Sequence, residues 1–367
     1  MKPNKVIFEK VLALVRSELW QKPLTCAISA EEVEEILKVA KEQGVSGLVA
    51  NAIVNNQLPI GEDLTLEVCA VQRLHEKKNR EMNAEIAQFA GFLNRRNLGY
   101  VVMKGQTMAA LYPNPLMRSS GDIDFYCPKV SFEAVQKTIE ERLGIVMKHD
   151  ESEMHDTFRI NGIEFEMHRR MTVFAYSKHD DYWKRIIEKE ISVFSSEITI
   201  NGEKVMTLSP TMNAVFIFVH LFRHFSTEGE GLRHFCDWAL VLHREKEHID
   251  VCELERNLKG IGHLKAYKVF GSWLVHVLGL PQDDFPFDLE DVDSKWIPLF
   301  TKNIMKMGNL GKVDKQNAKG IDNLSTFVAI KQAAKFFSLS PCEILSRIPK
   351  MIAYSIKKKA FAKGGEK

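Results

Sequence analysis

Asp122 and Asp124, separated by one apolar residue in Gly121-Asp122-Ile123-Asp124-Phe125, are the sharpest feature of the sequence. Alternate side chains of a strand share a face, so both carboxylates would lie on one side and Ile123 and Phe125 on the other. Acids this close repel unless a cation lies between them. Hard oxygen donors suit Mg²⁺ or Mn²⁺ better than zinc. A second segment, Ile163 to His168, repeats the pattern, with Glu164, Glu166 and His168 on one face. A third carboxylate from this segment would complete a two-metal site of the kind that drives in-line phosphoryl displacement. Glu166 is the candidate for it, and Glu164 reads as a solvated hairpin acid.

The residues upstream bear on what such a site would hold. Met103-Lys104-Gly105-Gln106 stands at an expected strand-to-helix junction, followed by Leu111-Tyr112-Pro113 and Arg118. A glycine at a helix start lets a phosphate approach backbone N–H groups, and Lys104 and Arg118 could hold phosphate oxygens. Neither a Walker-type nor a Rossmann-type glycine fingerprint competes for that role. Downstream, His220 and His224 fall at i and i+4 of a helix, as do Arg233 and Asp237. Leu221 stands where a zincin needs glutamate, which disfavours metalloprotease chemistry. The first reading of these four residues is a polar helix contact or an Arg–Asp pair. The second is that they border the site.

The elements needed to position these residues are legible along the chain of 367 residues. Residues 6–98 are helical in pattern, with a capping box at Ser29 and Glu32 and a long proline-free amphipathic stretch, Leu64 to Asn97, expected as one helix or two. Strands are expected at 100–103 and 123–126, a helix from Gly105 to Tyr112, and another over 131–142. Asn161-Gly162 and Asn201-Gly202 each join two strand-like runs, which predicts two hairpins closed by type I′ turns. After Ser209-Pro210 the pattern is helical again, interrupted near 279–293, and the aromatic residues Phe216, Phe218, Phe222, Phe225, Phe235, Trp238 and Trp183 read as core. The expected organisation is a helical region 1–98, a mixed-sheet core 99–208 and a helical region 209–367. The last region ends in a tail, 355–367, with five lysines against one glutamate, expected as a solvated end.

Composition narrows the partners. Lys and Arg total 50 against 48 Asp and Glu, a net +2, which is too balanced for a dedicated nucleic-acid binder. Six dispersed cysteines form no CxxC pair, and no signal-like or membrane-length apolar run occurs, so the expected setting is soluble, reducing and cytoplasmic.

Taken in order, Lys104-Gly105, Leu111-Tyr112-Pro113, Arg118, Asp122-Ile123-Asp124 and Glu166-Met167-His168 resemble the uncharacterised nucleotidyltransferase family of the DNA polymerase β-like superfamily, over roughly residues 86–240. The resemblance implies an α+β fold: a helical N-terminal region, a small mixed-sheet nucleotidyltransferase core and a helical C-terminal region. It also implies an enzyme that moves a nucleoside monophosphate from a triphosphate, ATP among the candidates, to an acceptor with release of pyrophosphate. By position, Asp122 and Asp124 would ligate two Mg²⁺ (or Mn²⁺) ions and Glu166 one of them. Lys104, Gly105, Gln106 and Arg118 would bind the nucleotide, and His168, His220, His224, Arg233 and Asp237 would support the site. The acceptor is open, with a small molecule or protein favoured over long nucleic acid, and no membrane is implied. Two alternatives remain beside this reading. One is a nucleotide-sugar glycosyltransferase that uses the DxD. The other is a catalytically inactive binding module, since Gln106 stands where the superfamily usually has serine or glycine and Glu166 where aspartate is commoner.

Overall fold

The computed structural model of the protein describes residues 4–149, 154–193, 196–308 and 322–364. Four helices come first: α1 (Lys5–Trp20), α2 (Ala30–Glu42), α3 (Ser46–Asn55) and α4 (Glu62–Asn94). The capping box forms, with Ser29 N donating to Glu32 Oε2 at 2.9 Å. The stretch that could have been one helix or two is the single 33-residue α4. No proline interrupts it, and both ends find an apolar partner. Its Val68 enters a core shared with α1–α3, whereas Met82, Ile86, Phe89 and Leu93 enter a second core under the sheet.

The sheet is built from β1 (Val101–Met103), β2 (Ile123–Tyr126), β3 (Lys148–His149), β4 (His155–Ile160) and β5 (Ile163–His168), in the order β1-β2-β5-β4-β3. Only β2 and β5 are parallel; every other pair is antiparallel. The parallel pair needs a crossover, which α6 (Lys129–Leu143) helps supply. Asn161 and Gly162 take φ values of 50° and 82°, as a type I′ turn requires, and close the β4–β5 hairpin. Asn201 and Gly202 do the same between β6 (Ser196–Ile200) and β7 (Glu203–Thr207), a separate hairpin that lies against α4 and β1.

Alternation along β2 and β5 divides the sheet. Ile123, Phe125, Phe165 and Met167 go under it into the core with Phe89, whose ring centroid is 5.0 Å from those of both Phe125 and Phe165. The opposite face, which carries Asp124 and Glu166, looks the other way. Between β1 and β2 the helix expected to reach Tyr112 is shorter: α5 spans Gly105–Ala109, and a turn follows, leading into the Pro113 and Pro115 segment. That segment is held close to α3, where a Cβ added to Gly47 would lie 2.3 Å from the Met117 carbonyl oxygen, so a larger residue would force the two backbones apart.

The C-terminal part contains α7 (Ser177–Val193), which precedes the β6–β7 hairpin, and then α8 (Pro210–Phe225), α9 (Leu232–Arg244), α10 (Val251–Gly260), α11 (Leu264–Trp273) and α12 (Trp296–Met307), with two further helices, Asp322–Lys335 and Pro341–Gly364. Ser209 caps α8 with Pro210 in its first turn. The expected aromatic core is buried throughout, from Trp183 to Trp238, and shares one apolar cluster with α1–α3. Both ends of the chain thus build the same helical body, and α4 ties the sheet to it. The lysines of the 355–367 tail lie outside the described side chains. All six cysteines are free, and among the described residues no helix is long and apolar enough to cross a membrane.

Candidate active site

The parallel register sets Asp124 directly beside Glu166, and Phe125 beside Met167. Asp122 comes immediately before β2, two residues from Asp124 and so on the same side of the chain. Around Asp124 an ammonium and an imidazole gather: Lys104 Nζ is 3.1 Å from its Oδ2 and His168 Nε2 is 2.9 Å from its Oδ1. The same His168 nitrogen is 3.3 Å from Glu166 Oε2, and His155 Nε2 is 3.9 Å from Glu166 Oε1.

The titration behaviour follows from this crowding. Burial raises Asp122, and the neighbouring charges of Asp124 and Glu166 push the same way. Burial also opposes ionisation of Asp124, but the Lys104 ammonium and the hydrogen bond from His168 outweigh it and hold this carboxyl well below its usual range. For His168 burial works against the charged form, and its contacts with Asp124 and Glu166 prevail, so its pKa rises. Lys104 opposes the rise at Asp122 as well, so the three acids share a small set of neighbouring cations.

Lys104 reaches Asp124 from a strained position, φ 56° and ψ −148°, at the end of β1 and directly before Gly105, itself at φ 50°. Two expected phosphate ligands, Gln106 and Arg118, have protein partners for their side chains in the structure. Gln106 is 3% exposed; its Nε2 donates to Asn83 Oδ1 at 2.5 Å, and its Oε1 lies 2.9 Å from Ser120 Oγ. Its side chain braces the loop ahead of Asp122. Arg118 is also 3% exposed, and its Nε and Nη2 bind both oxygens of Asp237 at 2.8 and 2.7 Å. Tyr112 completes this set by donating to Asp237 Oδ1 at 2.6 Å. A guanidinium so enclosed holds the loop to α9 and cannot turn to a ligand without leaving a buried carboxylate unpaired.

The Arg–Asp pair foreseen within α9 thus forms with a different arginine. Arg233, the expected partner, instead directs Nη1 to the Ser119 carbonyl at 3.4 Å. Asn79 of α4 holds the same loop through the carbonyls of Leu116 and Arg118, at 2.8 and 2.9 Å. Glu164 pairs with Arg159 at 2.7 Å on the exposed hairpin.

His220 and His224 do meet, with ring centroids 4.6 Å apart, and His234 joins them at 4.9 Å from His220. Burial pushes all three imidazoles below their usual range, His224 to about 3, and Lys104 adds to the effect on each. Beside them buried Glu230 is raised to about 7 by desolvation, 2.9 Å from His234 Nδ1. This contact is therefore one between a neutral imidazole and a carboxyl that burial keeps from ionising readily. Electrostatically these helical residues border the carboxylates through Lys104.

Sequence reasoning missed His155, Glu230, His234 and the Tyr112–Asp237 contact. His155 had a signal. The two-residue turn at Asn161-Gly162 pairs Ile160 with Ile163, and counting outward from there pairs His155 with His168.

Residues 29–278 match the uncharacterised nucleotidyltransferase family, and the chain belongs to that family. No curated protein matches the sequence. Among solved structures, an antigenic nucleotidyltransferase-like protein from Paracoccidioides brasiliensis is similar at 14% identity and a TM-score of 0.35, over 55% of this chain and 93% of that one.

Proposed function

We propose that this member of the uncharacterised nucleotidyltransferase family moves a nucleoside monophosphate from a nucleoside triphosphate to an acceptor hydroxyl, with pyrophosphate as the leaving group. The observation that carries the reading is the β2–β5 register: Asp124 stands beside Glu166, with Asp122 two residues away and its ionisation opposed by both neighbours. Acids held together against their own repulsion fit a divalent cation. Two such ions, Mg²⁺ or Mn²⁺, held by Asp122, Asp124 and Glu166, would supply an activated acceptor oxygen and stabilise charge on the leaving pyrophosphate.

The chain's own residues do the rest. Lys104 binds Asp124 at the mouth of α5, and with a triphosphate present its ammonium would serve the phosphate oxygens. Gly105 keeps the adjoining backbone free of a side chain. Gln106, Asn79 and Ser120 fix the loop that delivers Asp122, and the Arg118–Asp237 pair locks that loop to the helical body. The neutral histidines His220, His224 and His234 would border the acceptor. The near-balanced net charge favours a small molecule or a protein as acceptor.

A nucleotide-sugar glycosyltransferase would want a nucleotide-binding βαβ unit ahead of the DxD. Among the described residues no strand precedes β1. The test is pyrophosphate release from each triphosphate in the presence of pooled metabolites, with mass detection of the modified acceptor. Release that disappears in Asp124→Ala supports the reading. A UDP-sugar that binds strongly where no triphosphate binds would overturn it.

A further inference from the structure

We infer that the metal site on the sheet includes two imidazoles, His155 and His168, beside the carboxylate of Glu166, and that it selects a transition ion, Zn²⁺ above Mn²⁺, over Mg²⁺. The inference rests on the reading of this carboxylate as a metal ligand and goes beyond it in naming nitrogen donors.

The hairpin register supplies the placement. His155 and His168 are directly opposite across β4 and β5, with ring centroids 5.1 Å apart, and Glu166 is the next residue on the same face of β5. One donor atom each from His155, Glu166 and His168 can be chosen so that all lie within 4.8 Å of one another. Asp124 lies outside this set of three and approaches only His168 Nε2 of it, at 2.9 Å. Ligands about 2.1 Å from an octahedral ion are about 3.0 Å apart when adjacent and about 4.2 Å apart when opposite. The separations of 2.9 Å, 3.3 Å and 3.9 Å around His168 and Glu166 fall near that range.

Hydrogen bonding alone accounts poorly for the arrangement. His168 Nε2 carries at most one proton, yet it lies 2.9 Å from Asp124 Oδ1 and 3.3 Å from Glu166 Oε2. One N–H cannot point well at both carboxylates. An ion held by His155, Glu166 and His168 would take the His168 nitrogen and a Glu166 oxygen together. Carboxylate oxygens alone would accept Mg²⁺ or Mn²⁺, but imidazole is a poor ligand for Mg²⁺ and suits Zn²⁺ best, with Mn²⁺ the weakest of the first-row divalent ions at such a site. A site of this composition discriminates by the chemistry of its ligands as well as by size.

The test is direct metal binding by the full-length protein, stripped with a chelator and loaded with Mn²⁺ alone. Pulsed electron paramagnetic resonance reads nitrogen bound to the ion, and titration calorimetry compares Mn²⁺, Zn²⁺ and Mg²⁺. The expected result is a strong imidazole nitrogen modulation on one bound Mn²⁺, with Mn²⁺ and Zn²⁺ bound at least ~10-fold more tightly than Mg²⁺. In the double variant His155→Gln/His168→Gln the modulation disappears and the preference collapses. Because the modulation is read on the unaltered protein, a variant that fails to fold does not remove the test. Mn²⁺ bound without nitrogen modulation, or with modulation that persists in the double variant, overturns the inference and leaves the carboxylate site standing. No binding of any of the three ions, with or without a triphosphate, overturns both.

Discussion

Two clusters of similar residue types lie on either side of the loop 113–121, and they are built to opposite ends. On the sheet, Asp122, Asp124 and Glu166 crowd together around Lys104 and His168, and ionisation of Asp122 is opposed by burial and by the two neighbouring acids. In the helical body, Arg118 meets Asp237 in a two-point fork sealed by Tyr112. The second set is matched donor for acceptor, and a matched buried pair fixes one conformation without offering anything to a ligand. The first set is mismatched, and a mismatch maintained by the fold marks a place where something charged belongs. Charged residues alone therefore do not identify a site; the balance around them does.

The largest effect that would test this contrast is on turnover. Asp124→Ala should lower pyrophosphate release on the order of 10³-fold, as loss of a group that organises transition-state charge does. Glu166→Gln should keep triphosphate binding and lose turnover, since its share is the acceptor oxygen. Normal rates in both would dissolve the contrast from the sheet side.

The matched cluster should fail differently. Asp237→Ala leaves the buried Arg118 guanidinium uncompensated and should cost about 3–5 kcal/mol of stability, seen as a lower Tm or denaturant midpoint. An unchanged midpoint would mean that the fork does not hold the loop.

A third test uses a carboxylate that is satisfied rather than poised. Glu343, on the last helix, accepts from the Ala175 and Tyr176 N–H groups at 2.8 and 3.1 Å, downstream of β5. Burial opposes its ionisation, but the neighbouring His179, 3.9 Å away, Arg347 and these N–H groups prevail and bring it from 4.5 to about 2. A depressed carboxyl stabilises the fold fully above its unfolded pKa, and that stability is lost as pH falls through the folded one. Glu343→Gln should therefore destabilise by about 1.5–3 kcal/mol at pH 7. The difference from the unaltered protein should shrink between pH 4.5 and about 2. A difference independent of pH would assign the loss to packing instead.

The smallest effect is expected at Glu164. It pairs with Arg159 on the exposed hairpin, so Glu164→Gln should change stability by less than about 0.5 kcal/mol and leave turnover near normal. An inactive Glu164→Gln beside a normal Glu166→Gln would mean that the wrong hairpin acid has been assigned.

The sequence was most legible where physics is local. The capping box at Ser29, the α8 start at Ser209-Pro210 and both Asn-Gly turns rest on backbone needs within a few residues, and all are present. The α5 helix ends earlier than its pattern suggested, because apolar residues 108–112 also serve a turn that packs on the helical body. Arg118 and Gln106 were read as ligands because a cation and an amide near a glycine suit phosphate. Their actual partners could not be read, since Asp237 is 119 residues from Arg118 and Asn83 is 23 residues before Gln106.

By itself, then, the sequence determined which side chains share a face: the period of a strand puts Asp122 with Asp124 and Glu166 with His168, and a two-residue turn sets His155 opposite His168. It also contained the ordered motifs of the family. Which of those faces meet depends on packing between distant segments. The parallel pairing that sets Asp124 beside Glu166 joins strands some 40 residues apart, and its register is held by Phe125, Phe165 and Met167 filling the core under α4. A one-residue slip would turn those apolar groups outward and the carboxylates inward, so burial on one face fixes the chemistry on the other.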